Sequence, residues 1–439
     1  MERTWWSPAA RGFVEAERAR TSGWDLDRLD DELHRLVVAQ ERHVEEDSIV
    51  LYAGTNTPNP RLARLLGSSI GSRPNLGSPG DTYNRGMDDG SRISVLANDL
   101  LCRLFRCRFA ETRVPSGSIA NLYAFLATTT PGDRVMAFSD AAAGHPTHHA
   151  NGAAGLAGLE VHDVAFDVSR MDVDLAGLRE QAGRLRPRLI IVAGSMCLFP
   201  YDVAGVREIA DEVGAYVLYD AAHMGGMIAG GRFQQPLAEG AHLMTGSTYK
   251  SFGGPPSGMV LTDSPELAER LDAVAYPGLT ANFDLARTAG LALAAMDLIE
   301  HGEAYADACL ADAIALAAAL AAAGVAVYDV PERGHTASQH VAVAAAPHGG
   351  DGNELARRLE GANVLASSIG LPLPEGPSGA NALRFGTQEL ARWGMTPADM
   401  PAVAALVARV LVSGEDPASV RPDTVALRHQ FRTRHFIRS

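Results

Sequence analysis

The chain has 439 residues, 46% hydrophobic and 21% charged, with a formal net charge of −14. That length suits two or three domains with a large core, and the acidic balance argues against a nucleic-acid or anionic-membrane surface. Four scattered cysteines (Cys102, Cys107, Cys197, Cys309) are too few for a disulfide framework and contain no C-x-x-C, so neither a zinc nor a redox centre is expected.

The first residues, MERTWWSPAARGF, lack an apolar signal core, and no run of eighteen apolar residues follows, so a cytoplasmic protein is expected. LDRLDDELHRLVVAQERH (26–43) repeats apolar positions at three and four and predicts an amphipathic helix within an N-terminal helical arm, residues 1–47. Residues 48–90 are rich in Gly, Pro, Asn and Ser, with a short helix near RLARLLGSSI; a loop-rich stretch this long is usually functional. Further on, VLANDLLCRLF (95–105) and SIANLYAFLATTT (118–130) read as helices, and Cys102 and Cys107 as buried free thiols. RVMAFS (134–139), LIIVAGS (189–195) and YVLYD (216–220) read as buried strands, with a crossover helix in DVAGVREIADEVG (202–214). Such alternation predicts an α/β fold with a mostly parallel sheet, helices on both faces and ligands at the carboxyl ends of the strands. A long Ala-rich helix begins at Asp284 and leads from a domain of residues 48–300 into a smaller α+β domain, 301–439. That second domain holds strands in QHVAVAAA (339–346) and ALRFG (382–386) and a helix in GNELARRLEGA (352–362). The basic end, RHQFRTRHFIRS (428–439), reads as a solvated or subunit-contacting tail.

Chemistry concentrates between Asp220 and Lys250. An apolar strand delivers Asp220 in DAAH; thirty residues later GSTYK delivers Lys250, followed at once by SFGGPP. Pyridoxal phosphate (PLP) needs this pair: a lysine amine to form a Schiff base, and a carboxylate to keep the pyridinium nitrogen protonated. His223 is either a contact to the cofactor's phenolic oxygen or its lysine, or a structural histidine held by backbone. Ser116, Gly117 and Ser118 open a predicted helix in SGSIAN, where backbone N–H groups and hydroxyls can take a phosphate, although Ser-Gly-Ser also caps ordinary helices. GHPTHHANG (144–152) holds three histidines, and with no nearby cysteine or carboxylate a metal is not expected there. His145 is the candidate to stack on the ring; His148 and His149 read as polar loop residues. Arg384, just after a predicted strand, suits an amino-acid carboxylate through two parallel hydrogen bonds.

These blocks, SPGDTY (78–83), SGSIAN, GHPTHH, DAAHMGG, GSTYK and RFGTQELARWGM (384–395), resemble in order and spacing those of the serine hydroxymethyltransferase family of fold-type I PLP enzymes. The resemblance runs from about residue 40 to 400. It implies a fold-type I PLP-dependent transferase with a seven-stranded-type large-domain sheet. Lys250 would bind the cofactor, Asp220 pair with the pyridinium, His145 stack on the ring and His223 lie near the phenolic oxygen. Ser116, Gly117 and Ser118 would hold the phosphate, Thr248 sit beneath the cofactor, and Arg384 grip the substrate carboxylate. A homodimer whose subunits complete each other's sites is implied as well.

The chain departs from the family on the substrate side. The family's Ser-Glu-Asn appears as Gly54-Thr55-Asn56, and its E-G-Y-P-G loop as Leu76-Gly77-Ser78-Pro79-Gly80. Leucine cannot move a proton as that glutamate does, which argues against tetrahydrofolate dependence. Tyr249 precedes the lysine in place of histidine, and the tyrosine pair near the loop is Tyr83 and Asn84. A partner-subunit Gly-Gly-Pro is Ala281-Asn282-Phe283, and Met196 replaces a cofactor-contacting serine. Gly54, Tyr83 and Arg384 are therefore the candidate substrate residues. The expected activity makes or breaks the Cα–Cβ bond of a β-hydroxy-α-amino acid, as a hydroxymethyltransferase, aldolase or transaldolase. The alternative is other α-carbon chemistry on a specialised amino acid: racemisation, transamination, decarboxylation or oxidative decarboxylation.

Overall fold

A computed structural model describes residues 3–73, 75–373 and 380–439. It divides into two compact units, residues 1–48 and 49–439. The first is helical: α1 (Pro8–Thr21), capped by Ser7, and α2 (Leu26–Glu41), capped by Asp25, with a π-helical turn at Arg42–Glu46. The apolar row Leu26, Leu29, Leu33 and Leu36 of α2 is exposed.

The second unit is organised by a seven-stranded sheet. In chain order come β1 (Ile49–Val50), α3 (Asp88–Phe105), β2 (Phe109–Val114), α4 (Gly117–Thr128), β3 (Arg134–Ala137) and β4 (Glu160–Asp163). Next are α5 (Leu175–Leu185), β5 (Leu189–Val192), α6 (Val203–Val213), β6 (Tyr216–Asp220), α7 (Gly225–Ala229), β7 (Leu243–Ser247), β8 (Gly258–Thr262) and α8 (Leu285–Ala322). Across the sheet the order is β2-β8-β7-β6-β5-β3-β4, parallel except for β8, which runs antiparallel to both neighbours.

Period-two alternation divides each central strand between two apolar layers. Ile190, Val192, Val217 and Tyr219 face one layer with Leu101 of α3 and Leu291 and Leu298 of α8. Leu189, Ile191 and Leu218 face the other with Tyr123 and Phe125 of α4. Each fully buried aliphatic side chain contributes about 1.5–3 kcal/mol. Helix starts are capped by Ser116, Asp174, Asp202 and Asp284, and α6 ends at Gly214 with φ of 73°.

The Ala-rich stretch forms one unbroken 38-residue helix, α8, so residues 300 and 301 lie within it. By length and composition α8 could cross a membrane. Here it is a core helix: its second half, with Leu316 and Leu320, joins a separate apolar cluster. This part of the chain adds β9 (His340–Ala344), α9 (Gly352–Gly361), β10 (Val364–Leu365), β11 (Ser367–Ile369), β12 (Ala382–Gly386), α10 (Gln388–Arg392), α11 (Met400–Leu411) and α12 (Pro417–Arg428), all of which except β11 supply residues to that cluster. Strands β9, β12 and β11 make an antiparallel sheet in that order, and β10 pairs with β1. Because β1 reaches across to β10, the segment after it, with Gly54 and Asn56, is carried back toward the lysine loop.

Candidate active site

The carboxyl ends of β2, β3, β5, β6 and β7 lie along one edge of the sheet, and the segments leaving them carry Ser116, His145, Ser195, Asp220 and Lys250. Asp220 is the last residue of β6 and is buried. Its Oδ1 accepts from the Ala222 amide at 2.9 Å. Its Oδ2 meets Asn121 Nδ2 and His148 Nε2, each at 2.9 Å. Burial alone would raise this carboxyl; hydrogen bonding and charge from His148, followed by His145 and Asn121, hold it well below the usual carboxylate range. Asn121 is fixed in turn by Thr245 Oγ1, which donates to its Oδ1 at 2.7 Å.

Lys250 follows β7 in a turn and is 8% exposed. Its Nζ lies 3.0 Å from His223 Nε2. Burial lowers the amine to about 8; Asp220 opposes that shift and Arg384 adds to it. Arg384 Nη1 also faces His223 Nε2, at 3.3 Å, and donates to the Ser195 carbonyl, while Nη2 donates to Ser367 Oγ at 3.1 Å. Among the described residues its buried Nε has no acceptor. Since both neighbours of His223 Nε2 are donors when charged, that nitrogen is the acceptor and the ring proton sits on Nδ1. Burial, reinforced by Lys250 and Arg384, keeps His223 neutral. His340 packs edge-on against it with centroids 5.3 Å apart, and is neutral for the same reasons.

His145 Nδ1 accepts from the Thr147 amide at 3.2 Å and meets Thr147 Oγ1 at 2.7 Å; burial lowers its pKa to about 4. Thr248 is fully buried and donates to the Pro255 carbonyl at 2.5 Å, bracing the lysine loop. Ser116 caps α4 through a 3.3 Å bond from the Ile119 amide, while Gly117 is buried and Ser118 exposed on the first turn. A Cβ on Gly117 would stand 1.9 Å from Ser247 Oγ, so only glycine lets the first turn of α4 approach the end of β7. Gly54 is buried, with the Tyr52 ring occupying the space of a side chain, 2.7 Å from where its Cβ would be. Tyr83 is 79% exposed, just beyond the hairpin strands Gly77–Ser78 and Asp81–Thr82, and stands apart from the cluster.

Lys250, His223 and Arg384 are thus in direct contact, and Asp220, Asn121, Thr147, His148 and His145 form a linked chain of hydrogen bonds beside them. The reading of His148 as a polar loop residue is corrected, since it is fully buried against Asp220; sequence reasoning passed over Asn121, His340 and Gln339, whose Nε2 donates to the His223 carbonyl at 2.7 Å. For His148 a signal was present: Pro146–His148 is one 3-10 turn, and a three-residue spacing sets His145 and His148 on one side of it.

The residues fit PLP on their own chemistry. They supply a buried amine of lowered pKa, a buried carboxylate held ionised, a neutral imidazole against the amine, and an anion cradle at the start of a 12-residue helix. The sequence profile of serine hydroxymethyltransferase matches residues 26–407. The chain belongs to the serine hydroxymethyltransferase family. Among relatives in that family, an alpha-methylserine aldolase of a Ralstonia species is 44% identical over 438 residues, 99% of each chain. One from Variovorax paradoxus is 45% identical over 416 residues, 95% of this chain and 94% of its own. The serine hydroxymethyltransferase of Methanopyrus kandleri is 37% identical over 409 residues, 92% and 94%. An L-threonine transaldolase from Pseudomonas fluorescens has the same fold, with a TM-score of 0.83 over 96% of this chain and 94% of its own, at 24% identity. Membership makes this chain a PLP-dependent enzyme acting on an amino acid.

Proposed function

We propose that this serine hydroxymethyltransferase-family enzyme is a folate-independent aldolase for an α-methyl-β-hydroxy-α-amino acid. It breaks the Cα–Cβ bond of 2-methylserine to give alanine and formaldehyde, and makes that bond in reverse. The observation that carries the reading is the 44% identity, over 99% of both chains, to an alpha-methylserine aldolase. Leu76, at the place of the family's proton-moving glutamate, supports it from the chain's own residues.

Lys250 would hold the cofactor, Asp220 its ring nitrogen, His145 its face, and Ser116, Gly117 and Ser118 its phosphate, with Thr248 beneath. When bound, PLP supplies an acceptor for the electron pair that cleavage leaves on Cα. Arg384 binds the substrate carboxylate, and its unpartnered Nε is the donor left open for this. His223 Nε2 lies 3.0 Å from Lys250 Nζ and can take or return the proton that the amine exchanges. Cleavage turns the substrate hydroxyl into the aldehyde carbonyl, releasing its proton, and a proton is delivered to Cα. A quaternary Cα has no proton to lose, so such a substrate closes off racemisation and leaves bond cleavage as the open route. We further propose a cytoplasmic homodimer, in which the exposed Tyr83 of one subunit serves the other's site, and a division of labour between residues 48–300, holding the cofactor, and 301–439, carrying Arg384.

The test is to incubate the purified enzyme with 2-methyl-L-serine and its D-enantiomer, without tetrahydrofolate, and assay alanine and formaldehyde. Equal amounts of both products, lost in Lys250→Ala, are expected. Formaldehyde transfer from L-serine that requires tetrahydrofolate, with 2-methylserine untouched, would overturn the reading.

A further inference from the structure

We infer that the segment His435–Arg438 is a positioning strap for Lys250, with Phe436 its central side chain; this rests on reading Lys250 as the cofactor lysine. The basic end of the chain folds back on its own subunit. The His435 amide donates to the Arg392 carbonyl at 2.8 Å, and Arg392 Nη1 returns a bond to the Phe436 carbonyl at 2.6 Å. Farther along, the Arg438 amide donates to Asp297 Oδ1 at 2.8 Å, and Asn59 Nδ2 donates to the Arg438 carbonyl at 3.0 Å. An Arg438–Glu300 ion pair closes the end. Room has been left for this path: Gly394 adopts φ of +79°, and a Cβ there would stand 2.5 Å from the His435 ring.

Phe436 itself adopts φ of 57°, a left-handed backbone that disfavours a bulky side chain. Its surroundings hold it there. Its ring packs 5.9 Å from Tyr305 and joins the main apolar core. Tyr305 is fully buried; its hydroxyl donates to the Ser251 carbonyl at 2.9 Å and accepts from Asn56 Nδ2 at 2.8 Å. Asn56 Nδ2 also reaches the Lys250 carbonyl at 3.0 Å. Arg392 lies 4.4 Å over the Tyr305 ring, and its Nη2 would meet a Cβ on Gly253 at 3.0 Å. Asn56, Tyr305 and Arg392 thus fix the backbone of residues 250–253 from below, and the strap covers Tyr305 and Arg392 from outside. Lys250 Nζ must keep its 3.0 Å approach to His223, so a loosened turn displaces the amine.

The experiment compares holoenzyme of the wild type, Phe436→Ala, Phe436→Tyr and a chain ending at Arg434. PLP dissociation is measured by dialysis and the cofactor's visible absorbance is titrated with pH. Expected are an increase of about tenfold or more in the dissociation constant and a displaced pH midpoint in Phe436→Ala and the shortened chain, with Phe436→Tyr close to wild type. Should the shortened chain fail to fold, Arg438→Ala with Glu300→Gln loosens the same segment and is expected to act in the same direction. Variants that fold but keep wild-type affinity and midpoint overturn the strap. If Lys250→Ala loses the lysine-bound absorbance while they do so, only the strap has failed; if Lys250→Ala keeps it, the reading of the site has failed.

Discussion

At the scale of single residues the site is a balance of charges in a dry place. Among the described residues the ionised Asp220 and the Arg384 guanidinium act on Lys250, with His145, His223 and His340 kept neutral by burial. The amine is charged below about pH 8 and neutral above it, so labelling of Lys250 in the cofactor-free protein by an amine-reactive reagent should rise through a midpoint near 8 rather than 10.5. Asp220→Asn removes a carboxylate that favours the charged amine, and its midpoint should fall below the wild type's; a midpoint unmoved or raised would show that Asp220 does not act on Lys250. His148 matters through Asp220. In His148→Phe the carboxyl loses the partner that most offsets burial, and affinity for PLP should drop by about one to two orders of magnitude while Lys250 remains reactive. Asp220 and Lys250 were legible because a strand pattern and a Gly-rich loop frame them. His148 was less so: its three-residue spacing from His145 was its one local sign, and the carboxylate that it meets lies 72 residues away.

Among elements, α4 and α8 carry the consequences. The N-terminus of α4 meets the end of β7 only because residue 117 has no side chain. Gly117→Ala pushes a methyl into Ser247, and the cofactor affinity should fall at least about tenfold, with Ser247→Gly in the same chain restoring part of it. The crossover pattern made the parallel core readable in advance, since a strand covered by helices on both faces needs a continuous apolar run of four or five residues between helical periods. Less legible was α8. Its alanines announce a helix but not that one helix serves two cores, nor that Asp312 lies fully buried within it. Among the described residues both Asp312 oxygens lack a hydrogen-bond partner, and burial, with the charge of Asp399, pushes its carboxyl up to about 8. In the unfolded chain this group ionises near pH 4. Between about 4 and 8 the native state therefore binds the extra proton, so stability from this group falls as pH rises through that window and levels off above it. Asp312→Asn should flatten the loss of thermal stability from pH 5 to pH 8; an unchanged slope in calorimetry would place the native carboxyl in its ordinary range.

For the whole molecule, the unit of residues 49–439 holds every residue of the candidate cluster, while Tyr83 and the row on α2 face solvent. Leu26, Leu29, Leu33 and Leu36 recur at spacings of three, four and three, which is one helix face, and their exposures are 82%, 38%, 59% and 44%. The period names the helix from sequence alone, whereas exposure of its apolar face is a property of tertiary packing that no local pattern encodes. A continuous apolar row left in water favours association, against a net charge of −14 that keeps molecules apart. The enzyme should therefore sediment as a dimer, and Leu29→Lys with Leu33→Lys should raise the dissociation constant by about tenfold or more, because two buried leucines would be exchanged for two buried ammonium groups. Activity then discriminates the sites' independence. If Tyr83 completes a neighbour's site, diluting the weakened variant should lower its specific activity in step with dissociation. Mixing inactive Lys250→Ala subunits with inactive Tyr83→Ala subunits should also recover activity, since each mixed dimer holds one site with both residues intact. A wild type that sediments as a monomer at full activity would remove Tyr83 from the chemistry and leave each chain's own cluster sufficient.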